Sequence, residues 1–244
     1  MLTDILIDLS VILLSITLLY LSLLTYTRRR MAAWHSTLQE RRTAILLVLS
    51  LSVIAIKVSQ EVLGGHTSEL DIAILEYIHQ HASQATVSFF QWVTLSGSSK
   101  FLTLLGVLLT AAFLLARHYR AALLLSSSMI SGALLVYGLK LAVGRARPAL
   151  WETDQYWGYS FPSGHTLGSA ACATALALCV ARLWPAARLP GIVFAGIWIA
   201  LVATSRLVLG VHWPTDVLVA ACIGIVLPIL LMQTFDAVRP RPTR

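Results

Sequence analysis

The chain has 244 residues and a formal net charge of +7, with a mean hydropathy of +0.79. Apolar residues make up 57% and charged residues only 12%, against roughly 25% charged in a soluble domain, so an ordinary soluble enzyme is excluded and a polytopic membrane protein is indicated. The positive charge forms no basic arm: arginines stand between apolar runs, as membrane loops require, which argues against nucleic acid as a partner.

A stretch of about 20 apolar residues crosses the hydrocarbon core, and seven runs are predicted to do so: 5–27, 43–63, 101–116, 121–143, 164–183, 190–208 and 216–234. The third is short and is expected to begin a few residues earlier. The first lacks the basic start and small-residue cleavage site of a signal peptide, so it is expected to remain as a span. Between the second and third runs, residues 69–95 carry apolar residues at helical spacing together with Glu69, Asp71 and Glu76. They predict one or two amphipathic helices on the outer interface, there for packing or lipid contact rather than catalysis. Cys172, Cys179 and Cys222 lie inside apolar runs without metal-ligand spacing, and read as buried small hydrophobes.

Orientation follows from the cations. Arg28, Arg29, Arg30, Arg41, Arg42, Arg117, Arg120, Arg182, Arg188 and the tail arginines Arg239, Arg241 and Arg244 fall on one side. Lys57, Lys100, Lys140, Arg145, Arg147 and Arg206 fall on the other. The richer side is expected to be cytoplasmic, which places loops 64–100, 144–163 and 209–215 outside. The chain is expected to divide into an N-terminal helix with a basic loop (1–42), a membrane domain (43–234) and a short basic tail (235–244). No feature specifies an oligomer.

Three outward stretches carry the chemistry: KLAVGRARP, with Lys140, Arg145 and Arg147; FPSGH, with Ser163, Gly164 and His165; and SRLVLGVHWPTD, with Arg206, His212 and Asp216. Ionisable groups near membrane depth are costly and face cavities or partners. Snorkelling explains one such group poorly extended to three segments on one side. Lys140 and Arg147 are seven apart, about two helical turns, although Gly144 and Pro148 interrupt a continued helix. Arginine offers a planar fork for phosphate oxygens and lysine a point charge. Pro162 and Ser163 are helix-start residues, Gly164 admits a ligand close to the backbone, and a helix N-terminus attracts anions. Capping alone is the plainer reading of that stretch.

His212 and Asp216 stand four apart at the start of the last span. A carboxylate on one imidazole nitrogen fixes the tautomer and frees the other as a nucleophile. The residues together suggest phosphoryl transfer through a phosphohistidine. His212 attacks phosphorus, and His165 protonates the departing oxygen and then activates water. Lys140, Arg147, Arg206 and the amides near Ser163 and Gly164 hold the equatorial oxygens. No acidic metal-ligand cluster accompanies them, so neither metal nor cofactor is expected.

The three stretches resemble the signature of the type 2 phosphatidic acid phosphatase superfamily, K-x6-RP, PSGH and SR-x5-H-x3-D, complete and in order from Lys140 to Asp216. The resemblance spans roughly residues 65–234. It implies an all-α transmembrane bundle: a six-helix core of that type, here with an extra N-terminal span. It also implies a membrane lipid phosphate or diphosphate as substrate, and the roles just given, with the site at the outer, periplasmic face of a bacterial inner membrane. Phosphatidic acid, phosphatidylglycerol phosphate, undecaprenyl diphosphate and lipid A are substrates of that class. Arg145, in the variable part of the motif, is at most a headgroup contact, and Glu152 and Asp154 read as solvated loop charges. Rival readings are a phosphotransferase passing phosphate from undecaprenyl diphosphate to lipid A, and a scaffold or transporter with a dead site. The signature also resembles vanadium haloperoxidases, but those are soluble.

Overall fold

The computed structural model describes residues 2–30, 41–64, 69–151 and 158–237. Glu152, Asp154 and the tail arginines lie outside them. Within them the chain is helical: α1 (Leu2–Arg30), α2 (Arg42–Leu63), α3 (Glu69–His81), α4 (Gln84–Leu95), α5 (Ser99–Leu115), α6 (Tyr119–Val143), α7 (Gly164–Leu183), α8 (Arg188–Val208) and α9 (Pro214–Ala237). No strand occurs among the described residues. Six helices are long and apolar enough to cross a membrane, and α4 with α5, bent by 43° at their junction, makes a seventh if taken as one broken span. The chain is an integral membrane protein. The short third run therefore has a physical explanation. α5 has only 17 residues, about 26 Å at 1.5 Å per residue, and reaches span length only with α4.

The described residues cluster into two compact units, 1–61 and 62–244. In the first, α1 turns Leu13, Leu14, Leu18 and Leu21 outward. Its threonines bond back to the preceding turn, Thr17 to the Leu13 carbonyl at 2.8 Å and Thr27 to that of Leu23 at 2.9 Å. Such bonds satisfy hydroxyls that lipid cannot. On α2, Lys57 and Glu61 lie 3.8 Å apart, one turn along the helix.

The second unit is built around α7, whose Ala170, Ala171, Cys172 and Ala175 are fully buried. Lipid offers helices no hydrophobic reason to associate, so close packing of small residues must hold them. Gly224 on α9 shows how close: a Cβ there would stand 2.5 Å from the Ala170 Cβ and 2.7 Å from the Leu167 carbonyl oxygen. All three cysteines are buried and unbridged. Residues 69–95, expected as one or two amphipathic helices, form two. Ser83 caps α4 by accepting the Thr86 amide at 3.1 Å, and Ser98 caps α5 from Phe101 at 3.3 Å. The Ser83 cap accounts for the break before α4, and the Ser98 cap, immediately after Ser96 and Gly97, for the break between α4 and α5.

Candidate active site

Helix α6 ends at Gly144, which adopts φ 64° and returns its amide to the Lys140 carbonyl. That left-handed conformation suits glycine and stops the helix. Lys140 therefore stands on the last turn of α6 while Arg147 lies in the following loop, so the two do not share a continued helix. The loop is pinned instead by its backbone. Ser160 donates its amide to the Arg145 carbonyl at 2.8 Å and its hydroxyl to Ala146 at 2.9 Å, and Trp213 donates its indole N–H to Ala146 at 3.0 Å. This ties the first motif to the second and third.

Ser163 is the N-cap of α7, with its hydroxyl oxygen facing the Thr166 amide at 3.5 Å and accepting the Thr166 hydroxyl at 3.1 Å. Its own amide is engaged, donating to the Asp216 carbonyl at 3.3 Å. Helix geometry leaves the next two amides, of Gly164 and His165, without an intrahelical acceptor. The amides left open at this end are thus one residue further along than the sequence suggests.

His212 sits in the loop between α8 and α9 and is buried, as is Asp216 in the first turn of α9. Arg147 Nη1 approaches His212 Nε2 at 3.2 Å and donates to the Val211 carbonyl at 2.8 Å. A guanidinium can only donate, so Nε2 must offer its lone pair. The imidazole proton then belongs on Nδ1, which faces Asp216 Oδ2 at 3.5 Å. At that distance the contact is loose, and Nδ1 has no closer partner. Burial pushes the His212 pKa down to about 4. The Asp216 carboxylate pulls it back only in part, and Arg206 adds to the lowering. The ring is therefore neutral at physiological pH, with Nε2 unprotonated.

Asp216 is itself held. Arg145 Nη1 donates to its Oδ1 at 2.6 Å, and the Trp213 amide to its Oδ2 at 3.0 Å. The other Arg145 nitrogen donates to Asp71 Oδ2 at 2.9 Å. Asp71 also takes the Thr215 amide at 3.0 Å and the Thr215 hydroxyl at 2.7 Å. Arg145, expected at most as a headgroup contact, is 10% exposed and spends its fork on two buried carboxylates.

Lys140 donates to the Tyr159 carbonyl at 2.5 Å. Arg206, buried near the end of α8, donates to the Thr94 hydroxyl at 2.5 Å. His165, partly exposed in the first turn of α7, lies in the field of Arg206, His212, Arg147 and Lys140 together. The three motifs thus converge on one end of the second unit. Asp71, Thr94 and Gly97 were missed by sequence reasoning. A Cβ on Gly97 would meet Val202 Cγ1 at 2.6 Å and the His165 Cβ at 3.4 Å, so the break after α4 packs directly against the site. An acid at position 71, on a helix expected to lie at an interface, was the one signal available.

Known proteins resemble this chain in sequence and in fold. A family model described as the PAP2 superfamily matches residues 121–240. Phosphatidylglycerophosphatase B of Bacillus subtilis (strain 168) is 31% identical over 147 residues, 59% of this chain and 72% of that protein. The chain belongs to the PAP2 superfamily. Phosphatidylglycerophosphatase B of Escherichia coli (strain K12) is 44% identical over 74 residues, 30% of this chain, and the match spans only 27% of that protein's length. Among solved structures, the first transmembrane PAP2 type phosphatidylglycerolphosphate phosphatase from Bacillus subtilis superposes with a TM-score of 0.72 at 26% identity, covering 79% of this chain and 97% of that one. Aquifex aeolicus LpxE does so with a TM-score of 0.56 at 25% identity, covering 68% and 97%. The PAP2 match begins at residue 121, so α3 and α4, which supply Asp71 and Thr94, lie outside it.

Proposed function

We propose that this PAP2 protein is a membrane lipid-phosphate phosphatase that works through a phosphohistidine and needs no metal. The observation that carries the proposal is His212: neutral, with Nε2 unprotonated toward Arg147 and Nδ1 toward Asp216. In the reaction, the Nε2 lone pair forms a bond to phosphorus as the phosphorus–oxygen bond to the lipid breaks. His165 delivers a proton to the departing oxygen. It then takes a proton from water, whose oxygen attacks phosphorus and releases His212. Lys140, Arg147 and Arg206, with the amides at Gly164 and His165, balance the charge on the equatorial oxygens. Three fixed cations supply the electrostatic stabilisation that a metal provides elsewhere.

The names of the relatives favour phosphatidylglycerol phosphate as substrate. The distribution of arginines supports a site at the outer face of a bacterial inner membrane, toward the periplasm.

The test uses purified full-length protein with phosphatidylglycerol phosphate, phosphatidic acid or undecaprenyl diphosphate, in the presence of EDTA. Inorganic phosphate is expected from at least one lipid and none in His212→Ala. His165→Ala and Arg206→Ala should each lower turnover by about a hundredfold or more. Phosphate release that requires a second acceptor lipid would replace hydrolysis with transfer. Undiminished turnover in His212→Ala would remove the phosphohistidine.

A further inference from the structure

The end of the bundle away from His212 holds a second concentration of cations. A cavity of about 440 Å³ opens there, where α6 starts and where α7 and α9 finish. It is lined by the exposed Arg117, Arg120 and Arg182 and by the less exposed Leu124, Leu178 and Met232. That volume lies within the range of ligand sites, about 300–1,000 Å³. One carboxylate lines the cavity with the three guanidiniums: Asp236 lies 2.8 Å from Arg182 and 3.9 Å from Arg120. The excess charge is positive. All four groups are at least partly exposed.

Topology alone asks for arginines on this side of the membrane, not for their convergence on one cavity. The backbone adds a second observation. Arg117 closes α5 at φ 60°, with its amide bonded to the Leu114 carbonyl and that of His118 to Phe113 at 2.8 Å. This is the left-handed helix end that glycine normally occupies, and a side chain there costs on the order of 1 kcal/mol. The chain keeps an arginine at a position whose geometry favours glycine, and the arginine lines the cavity.

We propose that this cavity binds the headgroup of an anionic phospholipid from the leaflet opposite the histidine site. The depth fits, since the arginines flank the ends of membrane spans where headgroups lie. The chemistry fits as well: guanidiniums pair with a phosphodiester by charge-assisted hydrogen bonds, and basic pockets between spans recognise anionic headgroups. The leucines and Met232 receive the first part of the acyl chains. Asp236 is the internal competitor, and the lipid phosphate displaces it from Arg182. The inference stands apart from the proposed activity, because none of these residues belongs to the His212 site.

Full-length protein in phosphatidylcholine vesicles would be irradiated with photoreactive phosphatidylglycerol or photoreactive phosphatidylcholine, and the adducts mapped by peptide mass spectrometry. The phosphatidylglycerol probe should label residues 117–124 and 231–236 about tenfold more than the phosphatidylcholine probe, the worth of one charged hydrogen bond. Unlabelled phosphatidylglycerol should compete, and millimolar inorganic phosphate should not. Replacing Arg120→Gln together with Arg182→Gln should cut the labelling about tenfold, whereas Asp236→Asn should raise it severalfold. The opposite signs separate lost binding from lost folding. His212→Ala should label as the wild type does, so failure of the catalytic proposal leaves this one standing. Equal labelling by the two probes, competition by free phosphate, or indifference to all three charge changes overturns it.

Discussion

Each end of the second unit brings arginines to aspartates at similar distances, in opposite surroundings. At the histidine end, Arg145 meets Asp216 at 2.6 Å with the two side chains 10% and 0% exposed. At the other end, Arg182 meets Asp236 at 2.8 Å with 42% and 23% exposed. Coulomb attraction at a given distance grows as water is removed, but so does the penalty for desolvating each charge. The buried Arg145 pair therefore makes sense only as part of a hydrogen-bonded network: Asp71 and Asp216 share Arg145, and Thr215 and the Trp213 amide fill further acceptor sites. The exposed end answers its cations incompletely, with one carboxylate for three guanidiniums. The first arrangement fixes the positions of Arg145, Asp71 and Asp216. The second leaves cations able to take an outside anion.

The contrast is sharpest at Arg145. Arg145→Ala leaves two buried carboxylates without their shared cation, a change that costs about 3–5 kcal/mol when a buried pair is broken. Thermal unfolding in lipid nanodiscs should show a large loss of stability, with hydrolysis lost as well because Asp216 is no longer held. A stability close to wild type would mean that the network is not what organises this end.

Asp71→Asn is a gentler probe of the same network. It keeps the shape of the side chain and leaves the Arg145–Asp216 pair in place, but removes the charge that anchors the far side of the guanidinium. Loss of one charged hydrogen bond corresponds to about tenfold. In the proposed mechanism the loss should fall on kcat rather than KM, since Asp71 is buried and bonded to Arg145 and Thr215 and would act on His212 only through Arg145 and Asp216. A change confined to KM would assign Asp71 to substrate binding instead.

The sequence carried the membrane architecture because burial in lipid writes itself as apolar runs, and it carried the three motifs because their residue types are costly at membrane depth. It was silent about the network behind them. Asp71 looks like any acid near an interface until α3 is seen to bring it to Arg145, 74 positions away. Thr94 reaches Arg206 across 112 positions. Neither contact leaves a periodic trace, since each depends on how helices pack and not on how one helix faces its solvent. The register of the amides at the start of α7 was equally hidden. It turns on a backbone bond from Ser163 to Asp216, which joins two motifs that sequence can only order. Arg145 was underestimated because it occupies a variable position in the motif pattern, where spacing says nothing about its partners.

Burial also predicts a pH signature at His212. With its pKa lowered to about 4 from an unfolded value near 6.5, the ring is neutral in the folded protein across physiological pH. The unfolded chain takes up a proton that the folded one refuses, so this group's contribution is fully present above about pH 6.5 and is lost as pH falls toward 4. Imidazole resonances of isotopically labelled protein should show His212 untitrated between pH 8 and pH 5 (approximate limits set by those pKa values). A midpoint near 6.5 would mean that the ring is hydrated and that the buried end is open to water.

The smallest effect should come from Arg182→Ala, and it decides whether the two ends differ in kind. Both arginines touch a carboxylate oxygen within 2.8 Å, so an account based on contact distance alone gives them equal weight. An account based on solvent does not. An exposed pair gains little in water and gives up side-chain entropy, leaving about 0–1 kcal/mol. Arg182→Ala should therefore leave thermal stability near that of the wild type, by the same nanodisc measurement that registers Arg145→Ala, and raising the salt concentration should shrink even that difference. A loss as large as that of Arg145→Ala, insensitive to salt, would show that Arg182 and Asp236 form a structural pair. Asp236 would then hold Arg182 against an incoming phosphate, and the arginine end would be a clamp between α7 and α9 rather than a site waiting for an anion.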